Sequence, residues 1–112
     1  MNPEIEKFIA ENSVCSDFIF RNWKEFLNIL FENGGCVESI LWFEYTPVEK
    51  QSESLGSGGF ADRDNPDYMW AETMIYDKNL SGKTLSEIVS HIEKVISKNR
   101  PHNLVPSFFI TE

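Results

Sequence analysis

Apolar side chains recur at helical spacing over the first third of the chain, and this pattern predicts two helices. The first runs from Pro3 to about Asn12, with proline in the first turn, where its missing N–H loses no hydrogen bond. The second runs from about Ser16 to Asn33 and ends at Gly34-Gly35, since glycine readily adopts the left-handed conformation that closes a helix. Apolar residues take more than half of its circumference, so we expect cover on more than one side, with the N-terminal helix on the spare flank.

A third helix is predicted from Thr84 to about Asn99. The segment Thr84-Leu85-Ser86-Glu87 has the sequence of a capping box, in which each end residue's side chain accepts a hydrogen bond from the other's backbone amide. Apolar residues then repeat at helical spacing, and Pro101 prevents the helix from continuing.

Three segments have the β-branched and aromatic character of strands, with alternating faces. They are Cys36 to about Thr46, Tyr68 to Asp77 and Leu104 to Thr111. Pro106 confines the last of them to a sheet edge or a strand start, because proline cannot donate a backbone hydrogen bond. The polar, glycine-rich stretch 48–66 is expected to contain a short strand near 54–60, since long structureless loops are rare in compact domains.

The order of predicted elements, α-α-β-(β)-β-α-β, indicates an α+β fold. We expect a small, mostly antiparallel sheet of roughly three to five strands, with three helices packed on one face. The length of 112 residues suits a single domain spanning 1–112, and 13% aromatic content provides for a packed core. No apolar run approaches the ~18–20 residues of a membrane span, and the N-terminus lacks the features of a signal peptide, so we expect a cytoplasmic protein.

Acidic residues outnumber basic ones by 18 to 10, for a formal net charge of −8. Nucleic acid and anionic membranes are therefore poor partners, because phosphate binding needs clustered lysine and arginine. One interpretation is a charged coat that keeps the protein in solution. The segment 38–77, however, holds nine acidic and two basic residues, so −7 of the charge lies in the middle of the chain, which favours a surface that meets a cationic partner. The acidic residues of this segment are Glu38, Glu44, Glu49, Glu53, Asp62, Asp64, Asp67, Glu72 and Asp77.

Catalytic and redox patterns are weak. Cys15 and Cys36 are the only cysteines; they form no CxxC pair, and we expect reduced core or boundary residues. The sequence offers no catalytic motif around His91 or His102, so we expect no enzymatic activity. A small hydrolase that uses a carboxylate with one of these histidines stays the alternative.

Two loop segments resemble ligand-binding loops, one for phosphate and one for calcium, but each lacks residues that such a loop requires. Gly56–Phe60 is glycine-rich but lacks the Lys-Ser/Thr end of a phosphate-binding loop. Asp62–Asp67 begins like a calcium loop but lacks its required glycine and its final glutamate. We therefore predict neither metal nor cofactor, and we interpret 62–67 as a turn whose Asp and Asn side chains cap their own backbone.

The best candidate for a binding surface is the predicted strand 68–77. Alternation places Tyr68, Trp70, Glu72 and Tyr76 on one face, beside the acidic loop. Aromatic residues around a carboxylate are typical of protein–protein contacts, where Trp and Tyr carry much of the binding energy. The alternative is that a helix covers this face.

Three segments and the small, acidic format point to a class of proteins. The segments are Leu41-Trp42-Phe43-Glu44-Tyr45, Gly56-Ser57-Gly58-Gly59-Phe60 and Tyr68-Met69-Trp70-Ala71-Glu72-Thr73. With them, the chain resembles the immunity proteins of bacterial toxin–immunity systems, in particular those of contact-dependent growth inhibition. This resemblance implies a cytoplasmic protein that binds a cognate toxin domain, often a basic nuclease, and blocks its active site without catalysis.

The sequence thus predicts an inhibitor that binds a basic toxin through acidic and aromatic side chains, with Trp70 as the anchor. The predicted partner-binding residues are Glu53, Asp62, Asp64, Asp67, Tyr68, Trp70, Glu72 and Tyr76. Complementary charge also speeds association, which suits rapid neutralisation of a toxin. The alternative binding module is a secretion-type chaperone, which is an obligate dimer; we expect a monomer and leave the dimer open.

Overall fold

A computed structural model describes residues 2–14, 18–56 and 58–112. Its helices are α1 (Pro3–Asn12), α2 (Trp23–Glu32) and α3 (Leu85–Lys98), with a short 3-10 helix at Val48–Glu53. Its strands are β1 (Cys36–Pro47), β2 (Phe60–Ala61), β3 (Tyr68–Asp77) and β4 (Leu104–Thr111). The predicted α+β fold and the order of its elements are confirmed. None of the described helices has the length and apolar character needed to span a membrane.

The four strands form one antiparallel sheet in the order β2-β3-β1-β4. The long strand β1 lies at its centre, where Tyr45 pairs with Trp70 of β3 and Phe43 pairs with Val105 of β4. An isolated bridge between Ile19 and Ser107 adds one more residue beside β4. The chain between α1 and α2 therefore reaches the sheet as well as linking the helices.

The two faces of the sheet are covered differently. The three helices pack on one face and build the main core with sheet residues such as Trp42 and Phe108. A second, smaller cluster lies away from the helices, and its buried members are Val14, Ile19, Phe43, Trp70 and Val105. This cluster explains why the central strand is apolar on both sides, because each side faces other apolar groups.

Helix α2 is shorter than predicted. It begins at Trp23, whereas the predicted helix includes 18–22; the predicted start at Ser16 lies outside the described residues. Phe18 has φ +68°, a left-handed conformation that stops a helix, and Ile19 and Phe20 point into the second cluster and the main core, respectively. Of the residues that widened the predicted helical stripe, Phe18 and Phe20 thus belong to the segment before α2, which contacts both faces of the sheet, whereas Ile29 and Phe31 lie within the helix.

The other two helices have the predicted bounds to within a residue or two. The Asn2 side chain accepts a hydrogen bond from the Glu4 amide at the start of α1. The capping box at the start of α3 is present, with the Thr84 amide donating to Glu87 at 2.9 Å. Local capping chemistry is therefore enough to locate these helix ends.

Strand β3 contains a bulge. Leu41 pairs with Tyr76 and Phe43 with Glu72, so β3 has two extra residues between these pairs. The Thr73 hydroxyl donates to the Trp42 carbonyl at 3.0 Å and accepts from the Ile75 amide at 3.1 Å, which replaces part of the interrupted ladder. Because the insertion is even, Glu72 and Tyr76 stay on the same face.

The polar stretch 48–66 contains the 3-10 helix and the two-residue strand β2, which lies at the end of the range 54–60 where a short strand was predicted. Two glycines lie against the edge of β3. A Cβ at Gly56 would be 1.9 Å from the Glu72 carbonyl oxygen, and one at Gly59 would be 2.5 Å from that of Trp70. Only glycine permits this close approach, so the segment packs along the sheet edge.

Candidate functional site

The acidic loop between β2 and β3 is built around a buried carboxylate. The Asp62 side chain is fully buried and forms an ion pair with Arg21. Its other oxygen accepts from the Asp64 amide at 2.8 Å, and Asn65 similarly accepts from the Asp67 amide at 3.2 Å. The predicted self-capping turn is confirmed, and Asp62 acts within the protein instead of facing a partner.

Aromatic stacking holds the start of β3. The rings of Tyr45 and Tyr68 stack with centroids 4.6 Å apart, and the Arg21 guanidinium lies 4.5 Å from the Tyr45 ring centre. Burial raises the pKa of Tyr45, and its hydrogen bond to Asp62 acts in the same direction, whereas Arg21 opposes the shift. The Tyr68 side chain is half-buried, and its stacking on Tyr45 holds it against the sheet.

Trp70 lies in the second cluster and is completely buried. It shares a face with Glu72 and Tyr76, as alternation predicts, but Val14, Ile19 and Val105 cover that face at Trp70. Residues between α1 and α2 thus help to cover this face, whereas the alternative considered from the sequence was cover by a helix. Trp70 therefore contributes packing, and its ring has no exposed surface for the protein contact that the sequence predicted.

Five of the eight predicted residues are exposed, in more than one region. They are Glu53, Asp64, Asp67, Glu72 and Tyr76. Tyr68 pairs with Pro47 and Tyr76 with Leu41, six residues further along β1, or roughly 20 Å at strand spacing. The acidic loop and the end of β3 are thus separate parts of the surface.

An uncovered, mostly apolar surface lies at the distal half of β3 and extends to Phe109 of β4. We call this surface the open face, and its residues are Glu72, Met74, Tyr76 and Phe109. Met74 is 88% exposed, Tyr76 44% and Phe109 48%. The Tyr76 and Phe109 rings meet edge to face at 6.1 Å, so side chains of β3 and β4 contact each other across β1, where Tyr76 pairs with Leu41 and Phe109 with Ser39. Met74 and Phe109 were not among the predicted partner-binding residues, although alternation places Met74 on the face of Tyr76, and alternation from the buried Phe108 would have placed Phe109 on the outer face.

Carboxylates of the segment 38–77 divide into internal and exposed groups. Glu44 and Asp77 join Asp62 as acids with internal partners, and Asp64 lies 3.8 Å from Arg63. Five others are exposed and, in the part of the chain that the structure describes, form no ion pair: Glu38, Glu49, Glu53, Asp67 and Glu72. These five supply the charge that is available to a partner.

Each histidine hydrogen-bonds to a carboxylate that is distant from it in sequence. His102 Nδ1 lies 2.5 Å from Glu44 Oε2, and the buried Glu44 also accepts from the Leu55 amide at 2.7 Å. His91 Nε2 lies 2.9 Å from Asp77 Oδ2. Over the described ranges each imidazole hydrogen-bonds to a carboxylate, and neither bonds to a hydroxyl or thiol.

Metal-binding groups do not cluster in the described ranges: no three His, Cys, Asp or Glu side chains converge there. Cys36 is a free, half-buried thiol, and Cys15 lies outside the described residues. In the 62–67 turn, Asp62 and Asn65 accept hydrogen bonds from backbone amides, and the other carboxylate oxygen of Asp62 pairs with Arg21.

No model of a known protein family, no curated protein and no solved structure matches this chain.

Proposed function

We propose that this protein is an immunity protein: it binds a cationic toxin domain, with one molecule of each in the complex, and blocks it without catalysis. The open face is the apolar contact, and the exposed carboxylates of β3 and of the 62–67 loop are the charged contacts. The proposed binding residues therefore differ from those predicted from the sequence. Asp62 and Trp70 are buried and stabilise the fold beneath the surface, and Tyr76 and Phe109 are the aromatic anchors of the contact.

The observation that carries this proposal is the joint exposure of Met74, Tyr76 and Phe109 beside the unpaired carboxylate of Glu72. Large apolar side chains exposed together mark interaction surfaces more often than single ones do. Aromatic residues give much contact area for little loss of side-chain entropy, and charge placed around them selects the partner.

The charge of the partner follows from complementarity. A formal net charge of −8 attracts a cationic protein and repels an anionic one. A nuclease fits this requirement because it needs a cationic cleft to hold phosphates, and an acidic protein competes for that cleft. In such a system the inhibitor is cytoplasmic, where it protects the producing cell.

Affinity capture from the native host tests the proposal, with two matched double variants. Tyr76→Ser with Phe109→Ser removes the two aromatic residues of the open face. Val48→Ser with Leu55→Ser removes two apolar residues of similar exposure, 44% and 40%, outside that face. Circular dichroism verifies that both variants fold.

We expect the wild type and the Val48/Leu55 variant to capture one basic protein, to form a 1:1 complex with it and to suppress its toxicity on co-expression. The Tyr76/Phe109 variant should lose capture and protection. Equal capture by both variants, or an acidic or non-toxic partner, would contradict the proposal.

Light scattering separates the immunity protein from a secretion-type chaperone. The proposal expects a monomer with a free open face, whereas an obligate dimer would cover apolar surface with a second copy. A stable dimer that the Tyr76/Phe109 variant dissociates would therefore assign the open face to self-association.

A further inference from the structure

A second surface, at the opposite end of β3 from the open face, has a different chemistry. A groove of about 680 Å3 runs between the end of α3 and the second cluster of the sheet. Its volume lies within the range of small-molecule sites, roughly 300–1,000 Å3. The side chains that line it include two guanidinium groups, Arg21 and Arg100, and the imidazole of His102, in a protein whose net charge is strongly negative.

Contacts behind the groove hold Arg21 and His102 in place. Arg21 is fixed by the buried Asp62 and by the Tyr45 ring, while half of its side chain stays exposed. His102 is oriented through Nδ1 by the buried Glu44, so its Nε2 is the ring nitrogen left for another partner. Side chains fixed by such supporting contacts lose little entropy when they bind a ligand.

Arg100 supplies the charge that is not already neutralised. It is exposed, lies next to Pro101 at the rim, and within the described residues forms no ion pair with any carboxylate. An arginine fork suits the paired oxygens of a carboxylate or phosphate, which accept two parallel hydrogen bonds.

A fourth donor lies at the same place. Trp70 also lines the groove, and its buried indole Nε1 has no hydrogen-bond partner among the described atoms. Buried donors are nearly always paired, so an orphan N–H beside a groove indicates an acceptor that is missing. Indole N–H only donates, which again suits an oxyanion.

The rest of the lining consists of Tyr45, Asn103 and the apolar side chains of Ile96, Pro101, Leu104 and Val105. We propose that this groove binds a small organic anion, in which a carboxylate or phosphate head contacts Arg100 and Arg21 and an apolar body packs on the apolar side chains of the lining. The site is independent of the proposed toxin contact, since it shares no residue with the open face.

The test is a titration of the full chain with phenyl phosphate, 3-phenylpropanoate and the uncharged benzyl alcohol, followed by the NMR signal of the Trp70 indole N–H. Arg100→Gln removes the unpaired guanidinium. Lys98→Gln is the matched control, because Lys98 is an exposed cation two residues earlier that does not line the groove. Both positions are exposed, so neither variant threatens the fold.

We expect at least one of the two anions to shift the indole signal saturably, with the dissociation constant rising about tenfold or more in Arg100→Gln and unchanged in Lys98→Gln. The anion that binds more tightly identifies the head group. The proposal is overturned if neither anion binds at about 10 mM, if benzyl alcohol binds as tightly as the anions, or if both variants weaken binding equally. Because this readout contains no toxin, its failure leaves the proposed function untouched.

Discussion

Asp62 and Arg21, 41 residues apart in the chain, form an ion pair in which the aspartate side chain is fully buried. The pair joins the acidic loop to the segment that precedes α2, and it accounts for one of the carboxylates that the sequence analysis assigned to a partner. The same loop therefore contains an acid that stabilises the fold, Asp62, and acids that face solvent, Asp64 and Asp67.

Neutralising these two kinds of acid should have different effects on stability. Asp62→Asn removes the charge beside Arg21, and we expect the free energy of unfolding to fall by about 1–3 kcal/mol. Asp64→Asn, two residues away and exposed, should change it by less than about 0.5 kcal/mol. Denaturation with urea measures both, and equal stabilities would show that the ion pair is unimportant for folding.

Trp70 and Tyr76 offer a second contrast, since they share a face of β3 but differ in burial. Trp70→Ala should destabilise the protein by about 3–5 kcal/mol, because it opens a cavity in the second cluster. Tyr76→Ala should cost less than about 1 kcal/mol, because the ring is nearly half exposed. Thermal unfolding of both variants checks this order, and a folded, fully stable Trp70→Ala protein would contradict the burial of the indole.

The Thr73 hydroxyl should stabilise the bulge in β3. Thr73→Val keeps the shape but leaves the Trp42 carbonyl and the Ile75 amide without their partner, so we expect a loss of about 1–3 kcal/mol. Thr73→Ser retains the hydroxyl and serves as the control. If valine were tolerated as well as serine in urea denaturation, the hydroxyl bridge would have no energetic role.

The capping box of α3 should make stability depend on pH. Hydrogen bonds from Thr84 lower the pKa of Glu87 in the folded protein, so the ionised form is favoured by folding. The contribution is present above the pKa of the unfolded chain and is lost as the pH falls through the lower pKa of the folded protein. Comparing wild type with Glu87→Gln by denaturation between about pH 7 and 3 should show a smaller acid-induced loss in the variant.

Much of the fold could be predicted because its signals are local. The capping box and the proline at the start of α1 located helix ends, and alternation placed Trp70, Glu72 and Tyr76 on one face. The start of α2 could not be predicted, since Ile19 and Phe20 fit a buried helix as well as an extended segment that touches both faces of the sheet.

The candidate site was harder to predict, because coverage of a face depends on distant segments. Nothing near Trp70 in sequence indicates that Val14 and Ile19 cover it. Likewise Glu44 and His102 are 58 residues apart, and only the pairing of β1 with β4 brings their neighbourhoods together. Long-range packing thus decided which acids and aromatic residues are left for a partner.

The central claim is that exposed carboxylates draw a cationic protein to this surface, and the rate of association tests it most directly. Stopped-flow fluorescence with the captured toxin domain should give a rate constant that falls steeply as salt rises. Replacing Asp64, Asp67 and Glu72 by their amides, with Asp62 kept intact, should slow association about tenfold at low salt and flatten the salt dependence. A rate that neither salt nor these replacements change would contradict the account.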